Sequence, residues 1–278
     1  MNEREGSFAS TSFQSADVSV IICAYTEKRW SDLVAAIASV RSQTMHPREI
    51  IVVIDHNPPL LQRVRQEIPD VIAVANAEER GLSGARNSGL GAAHGAVVAF
   101  LDDDAIAEPD WLERLVAVFD ESSVLVAGGA VTPEWQCQPP RWFPDEFHWV
   151  VGCTYRGMPM TKTQVRNPIG ANMAFRREVF EHIGKFRAGI GRVGTLPVGC
   201  EETELCIRYR QRLPHGKIVY EPLAQVRHRV SPSRTTFRYF AARCFAEGCS
   251  KALVTRLVGS DDGLASERAY TVRTLPSG

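Results

Sequence analysis

No stretch of this sequence approaches the roughly 18 consecutive apolar residues that a membrane-spanning helix requires. Neither sign of charge is in excess, since Lys plus Arg and Asp plus Glu both total 32. That balance removes the overall field expected of a nucleic-acid binder or an acidic tail, so partners must be read from local sites. The seven cysteines (Cys23, Cys137, Cys153, Cys200, Cys206, Cys244 and Cys249) are odd in number, scattered, and include no Cys-x-x-Cys pair. They spell no zinc site, and a reduced, cytoplasmic setting fits them best. Residues 1–16 are rich in Ser, Glu and Asn without the apolar core of a signal peptide, and read as a disordered lead-in. There is no internal repeat and no low-complexity tract.

What is present is the material of a globular α/β chain. Hydrophobic residues make up 44% and charged residues 23% of 278 positions, enough for one continuous core. Val18 to Ala24 is an unbroken apolar run, as a strand buried on both faces should be, and it ends in the polar Tyr25-Thr26-Glu27. Ser31 reads as the N-cap of a helix whose Leu33, Val34, Ile37 and Val40 recur at helical spacing until His46-Pro47. Strand and helix then alternate: Glu49 to Asp55 and Leu60 to Ile68; Val71 to Asn76 and Leu82 to Ala93; then Ala96 to Leu101 as a fourth strand. A helix from near Pro109 to Phe119 and a strand from Val124 to Val131 follow. This rhythm predicts a parallel sheet with helices on both faces and a ligand crevice beyond the carboxyl ends of the strands, where Tyr25, Asp55 and Asp102 all stand.

Near Thr132 the rhythm breaks into Trp135, Trp142, Trp149 and several prolines. Residues 17–132 therefore read as a nucleotide-binding half, 133–235 as an acceptor and catalytic half, and 236–278 as a C-terminal helix and tail. In the second half Glu201 to Leu213 reads as a helix, Lys217 to Glu221 and Gln225 to Val230 as two strands, and Thr236 to Leu257 as a last helix.

Three carboxylates in a row, Asp102-Asp103-Asp104, repel one another unless they are solvated, cap a helix, or share a cation such as Mg or Mn. A strand-end turn explains them equally well. Asp55, followed by the loop His56-Asn57-Pro58-Pro59, is placed to accept from the imide N–H of a uracil-like base, or is simply a turn residue. Arg80-Gly81-Leu82-Ser83-Gly84-Ala85-Arg86-Asn87 puts glycines and two guanidinium groups at a helix start, an arrangement that favours phosphate, although helix packing alone accounts for the small residues. Gly89-x-Gly91-x-x-x-Gly95 has one residue too many for a dinucleotide loop and does not follow the first strand, which excludes a Rossmann dehydrogenase. Glu201-Glu202-Thr203-Glu204 opens a helix, where acidic residues suit the macrodipole; a general base is the functional alternative. His228, between Arg227 and Arg229, is either a surface histidine or an imidazole for a metal. The Trp135–Trp149 segment and the glycine-rich loop 187–200 are candidates for an acceptor wall and a lid, or for ordinary packing and a surface loop.

In their order along the chain these segments resemble glycosyltransferase family 2. The resemblance spans roughly Val18 to Val230 and includes Gly170-Ala171-Asn172-Met173-Ala174-Phe175-Arg176 and Glu201-Glu202-Thr203-Glu204-Leu205. It implies a GT-A fold: a mostly parallel central sheet with a Rossmann-like nucleotide-binding half and a smaller mixed acceptor half. It further implies that Ala24, Tyr25, Glu27, Asp55, Arg80, Gly81, Arg86, Asp102 and Asp103 bind the nucleotide-sugar donor, with Arg86 on the pyrophosphate. Asp102, Asp104 and His228 would hold a divalent cation, Mn or Mg. Gly170, Ala171, Asn172 and Trp142 would face the acceptor, and Glu202, with Glu201 beside it, would be the base of an inverting transfer. Glu202 is longer by one methylene than the family's usual aspartate.

Asp55-His56-Asn57-Pro58, Arg141-Trp142-Phe143-Pro144, Val151-Gly152-Cys153-Thr154-Tyr155 and Gly199-Cys200-Glu201-Glu202-Thr203 resemble a prokaryotic subgroup of glucosyl-dolichyl-phosphate glucuronosyltransferases. That likeness implies a glycan or lipid-linked sugar as acceptor, and a cytoplasmic enzyme at the inner face of a membrane. The rival from another class is a metal-dependent phosphatase or phosphotransferase, which also places Asp-x-Asp after a strand. It ranks second because Ile106 stands where a small residue is expected, the motif follows the fourth strand, and the Glu201 helix is left without a role.

Overall fold

The computed structural model describes residues 17–193 and 198–277; the lead-in 1–16 and part of the loop 187–200 lie outside the described residues. The first strand, β1 (Val18–Ala24), is buried along its length, and its alternation serves two cores at once. Val18, Val20 and Ile22 face α1 (Trp30–Arg41) and α2 (Pro58–Glu67), while Ile21 faces α3 (Leu82–Ala92) on the opposite side of the sheet. A parallel strand with helices on both faces has no polar side to present, which is why the run reads as unbroken apolar sequence. With β2 (Glu49–Ile54), β3 (Ile72–Ala75) and β4 (Val97–Asp102), β1 forms a wholly parallel group in the order β3-β2-β1-β4.

Beyond β4 the direction reverses. β8 (Asn172–Arg176) runs antiparallel to β4 and to β6 (Val124–Trp135), and β6 pairs in parallel with β9 (Lys217–Val230). The short β5 (Ala105–Ala107) and β7 (Thr163–Gln164) both add antiparallel to β9, completing a nine-stranded mixed sheet. Helix α4 (Trp111–Val116) covers one face, and α6 (Glu201–Arg212) covers the other with Leu205, Cys206 and Tyr209. Residues 179–183 (α5), the long α7 (Phe237–Val258), α8 (Ser260–Gly263) and α9 (Ala265–Ala269) complete the helices. Thr132 lies inside β6, so one sheet runs through both compositional halves.

Several boundaries differ from the sequence reading for local reasons. Of the expected loop His56-Asn57-Pro58-Pro59, only His56 and Asn57 lie outside the helix. Asn57 caps α2 by accepting from Leu60 N at 3.2 Å, and the prolines occupy the first helical positions, where a missing N–H costs nothing. Ser31 is not a cap, because a short 3₁₀ turn over Glu27–Arg29, capped by Thr26, leads directly into α1 at Trp30. Lys217–Glu221 and Gln225–Val230 are one strand with an irregularity, where Gly129 and Ala130 of β6 oppose Glu221 and Gln225. Gly89 belongs to helix–sheet packing, since a Cβ there would stand 2.7 Å from Ile21 Cγ2.

Candidate active site

Parallel pairing puts the ends of β1, β2 and β4 side by side: Ala24 is in register with Ile54, and Cys23 with Asp102. The residues just past these ends line a cleft of about 1220 Å³ that extends across the second half to α7 and the C-terminal segment. Ala24, Tyr25, Asp55, Arg86 and Asp102–Asp104 line it from the first half; Gly170, Ala171, Glu201, Glu202 and His228 line it from the second. Glu27 and Arg80 are exposed and do not line it. Trp142, 44% exposed, packs with Phe143, Phe237 and Phe240 away from the cleft. Asn172 is fully buried and its amide is saturated. It donates to Ala130 O and Ala224 O at 2.9 and 2.8 Å and accepts from Trp111 Nε1 at 2.7 Å, so it braces β6, β9 and α4 and does not line the cleft.

Asp55 organises the loop opposite it. Its carboxylate accepts from Gly81 N at 3.0 and 3.2 Å and from Asn76 Nδ2 at 2.7 Å. Gly81 has φ +130°, a conformation that favours glycine, and so delivers its N–H without strain.

The acidic triplet divides three ways. Asp102 ends β4 and is partly exposed to the cleft. Asp103 is buried: Oδ1 pairs with Arg29 at 2.8 Å, and Oδ2 has no hydrogen-bond partner among the described residues. Burial pushes its carboxyl up to about 8, with Asp104 and Asp102 adding to the rise against the pull of Arg29. Asp104 meets His228 Nε2 at 3.1 Å, Arg29 at 2.7 Å and Arg234 at 3.2 Å. Burial works against its ionisation, but His228 and the two guanidinium groups hold it well below the usual carboxylate range. Burial likewise works against charge on His228, yet the Asp104 carboxylate lifts it to about 10.

β5 makes this meeting possible. The chain turns back two residues after Asp103 and pairs with β9, setting Ala105 opposite His228. One oxygen each from Asp102 and Asp104 and a ring nitrogen of His228 lie within 4.8 Å of one another. Two carboxylate oxygens and an imidazole nitrogen are hard oxygen donors with one borderline nitrogen, a set that suits a divalent cation; such an ion would have to take the place at Asp104 that Arg29, Arg234 and the charged His228 fill in this structure.

Arg86 sits beneath this cluster, 2% exposed. It holds Glu201 Oε1 at 2.6 Å, donates to Gly170 O at 3.0 Å and lies 3.6 Å from Asp102. Its guanidinium thus joins the end of β4 to the start of α6. Glu202 is different: among the described residues it makes no ion pair, and the side chain that hydrogen-bonds it is Thr203, whose Oγ1 donates at 3.3 Å. Burial, then the neighbouring Glu201 carboxylate, raise its carboxyl to about 7 against the pull of Arg86. The residue before this pair, Cys200, is held at φ +74°, and its thiol donates to Glu247 of α7. The sequence reading missed Arg29 and Arg234; the available signal was an arginine shortly after β1 and another shortly after β9.

The family described as Glycosyl transferase family 2 matches residues 19–184, more than half the chain. The chain belongs to this family. The glycosyltransferase is 38% identical over 251 residues to a protein of Haloferax volcanii named glucosyl-dolichyl phosphate glucuronosyltransferase, covering 88% of this chain and 80% of the relative. It is 24% identical to the succinoglycan biosynthesis protein ExoM of Rhizobium meliloti, over 83% of this chain and 72% of that protein. Its fold resembles the solved structure of GalNAc-T7 with UDP, GalNAc and Mn2+ (TM-score 0.58, 21% identity), covering 77% of this chain and 44% of the other. The glycosyltransferase therefore has a GT-A-type mixed α/β fold. The phosphatase reading gains no support from these likenesses.

Proposed function

We propose that the enzyme moves a sugar from a nucleotide-diphosphate sugar, a UDP-sugar, to a hydroxyl of a polyprenyl-phosphate-linked sugar, with inversion and with a divalent cation. The observation that carries this reading is the convergence of Asp102, Asp104 and His228 at the end of β4, facing the unpaired Glu202 across one cleft. The mixed oxygen and nitrogen donor set suits Mn better than Mg, which prefers oxygen alone. When bound, the ion supplies positive charge against the diphosphate that leaves. The nucleotide would lie over Ala24 and Tyr25, with the Asp55–Gly81 unit setting the floor for its base. Arg29 and Arg234 bring further positive charge to the leaving-group side.

Glu202 then takes the acceptor's hydroxyl proton. The hydroxyl oxygen bonds to the anomeric carbon as the bond to the diphosphate oxygen breaks, and the nucleoside diphosphate departs with the electron pair. A carboxyl raised to about 7 suits a base working near neutral pH. Glu201, bound to Arg86, positions the start of α6 and leaves the proton to its neighbour. The dolichyl-phosphate name of the Haloferax relative supports a lipid-linked acceptor. No helix among the described residues is long and apolar enough to cross a membrane, and a peripheral position at the cytoplasmic face suits such an acceptor. The test is thermal unfolding with a panel of nucleotide sugars. UDP-sugars should raise the transition temperature with Mn and lose the effect with chelator; stabilisation that ignores chelator would contradict the metal's role.

A further inference from the structure

Helix α7 is the longest in the molecule and carries two unlike faces. Its inner face, through Phe240, Cys244, Ser250 and Val254, packs on the core and against Cys200 and Ile207. The opposite face runs Arg238, Ala242, Phe245, Cys249, Ala252, Arg256, stepping by four and three residues, and every one of these is exposed. A spacing of 4-3-4-3-4 keeps them on a single stripe about 27 Å long. Phe245 is 77% exposed, and Phe237 beside the stripe 69%. A soluble helix places charge on such a face, whereas this one has apolar residues between terminal arginines.

We infer that this stripe seats the enzyme on a bilayer bearing anionic headgroups, with the cleft mouth at the lipid surface. An interfacial helix has this composition: aromatic and small apolar side chains to enter the headgroup boundary, and arginines to meet phosphate. The helix has an excess of positive charge in a chain of zero net charge: α7 holds Arg238, Arg243, Lys251 and Arg256 against one carboxylate, Glu247, and of these Arg238 and Arg256 stand on the exposed face. Glu247 turns inward to Arg243 and Lys251, so no carboxylate of the helix faces the stripe. Most tellingly, Gly248, Ala252 and Arg256 belong both to the exposed face and to the wall of the cleft. A lipid-linked sugar could thus reach Glu202 while its prenyl chain stayed in the bilayer. The inference rests on the proposed lipid-linked acceptor for its purpose, but its observations are those of the helix alone.

The test is co-sedimentation of the full chain with vesicles of phosphatidylcholine alone and of equimolar phosphatidylcholine and phosphatidylglycerol. Wild type should bind the anionic vesicles at least about tenfold more tightly than the neutral ones, with binding weakened by salt. The double variant Phe245→Ser/Arg238→Gln should lose about tenfold or more of that affinity while keeping its unfolding temperature and its transfer to a water-soluble, short-chain acceptor. Equal binding by the variant, or no binding by wild type, overturns the inference. So does a wild-type dimer in light scattering that the variant converts to monomer, since a second copy would then own the face. Because sedimentation needs no donor and the short-chain assay needs no membrane, failure of the docking surface and failure of the proposed reaction are separable.

Discussion

Two adjacent glutamates at the start of one helix have different surroundings, and their substitutions should separate. Glu202→Gln removes the unpaired carboxyl and should lower kcat by about 10²–10⁴-fold, with donor protection in thermal unfolding retained. Glu201→Gln leaves the guanidinium of Arg86 buried without its carboxylate, a loss on the order of 3–5 kcal/mol, to be read as a lower unfolding midpoint as well as lower activity. Equal effects of the two changes on stability would contradict this division. The acid–base role also fixes the sign of the pH dependence. Glu202 works as the ionised base, and burial disfavours that form, so kcat/KM should fall below about pH 7 by roughly tenfold per unit. The Glu202→Gln variant should lack this limb.

At the level of elements, the irregularity between β6 and β9 brings the two strands into close contact. A Cβ on Gly129 would stand 1.8 Å from Ala224 O and 2.6 Å from Asn172 Nδ2, so Gly129→Ala should cost about 1–3 kcal/mol by spreading the strands. Asn172→Ala strands the Trp111 indole N–H and two carbonyls and should cost about 2–4 kcal/mol in denaturant unfolding. The parallel half was legible in the sequence because each strand–helix unit is local: Val18–Ala24 announces burial on both faces within seven residues. The second half was not. β8 inserts between β4 and β6, and β5 finds β9 more than a hundred residues away; no local periodicity encodes such partners. For the same reason His228 was reachable only through resemblance, and Asn172, in an acceptor-like segment, proved to be a brace. The positions of Asp55, Asp102 and Glu202 at the cleft were legible because strand ends and helix starts are.

For the whole molecule, the two compositional halves share one sheet, and Arg86 links them at the cleft, reaching from α3 to Gly170 and Glu201. Charge at the Asp102–Asp104–His228 cluster is balanced here by Arg29, Arg234 and His228, so Asp104→Ala should abolish the stabilisation by UDP and Mn in thermal unfolding and also lower the unfolding midpoint of the free protein, because three cationic groups lose their carboxylate. The most direct measurement is mass spectrometry of products formed from a UDP-sugar, Mn and a prenyl-phosphate-linked sugar by wild type and Glu202→Gln. The expected result is an acceptor heavier by one sugar residue with wild type, gone with chelator and reduced at least about a hundredfold in the variant. Undiminished turnover by Glu202→Gln, or transfer that persists without divalent cation, would contradict the mechanism.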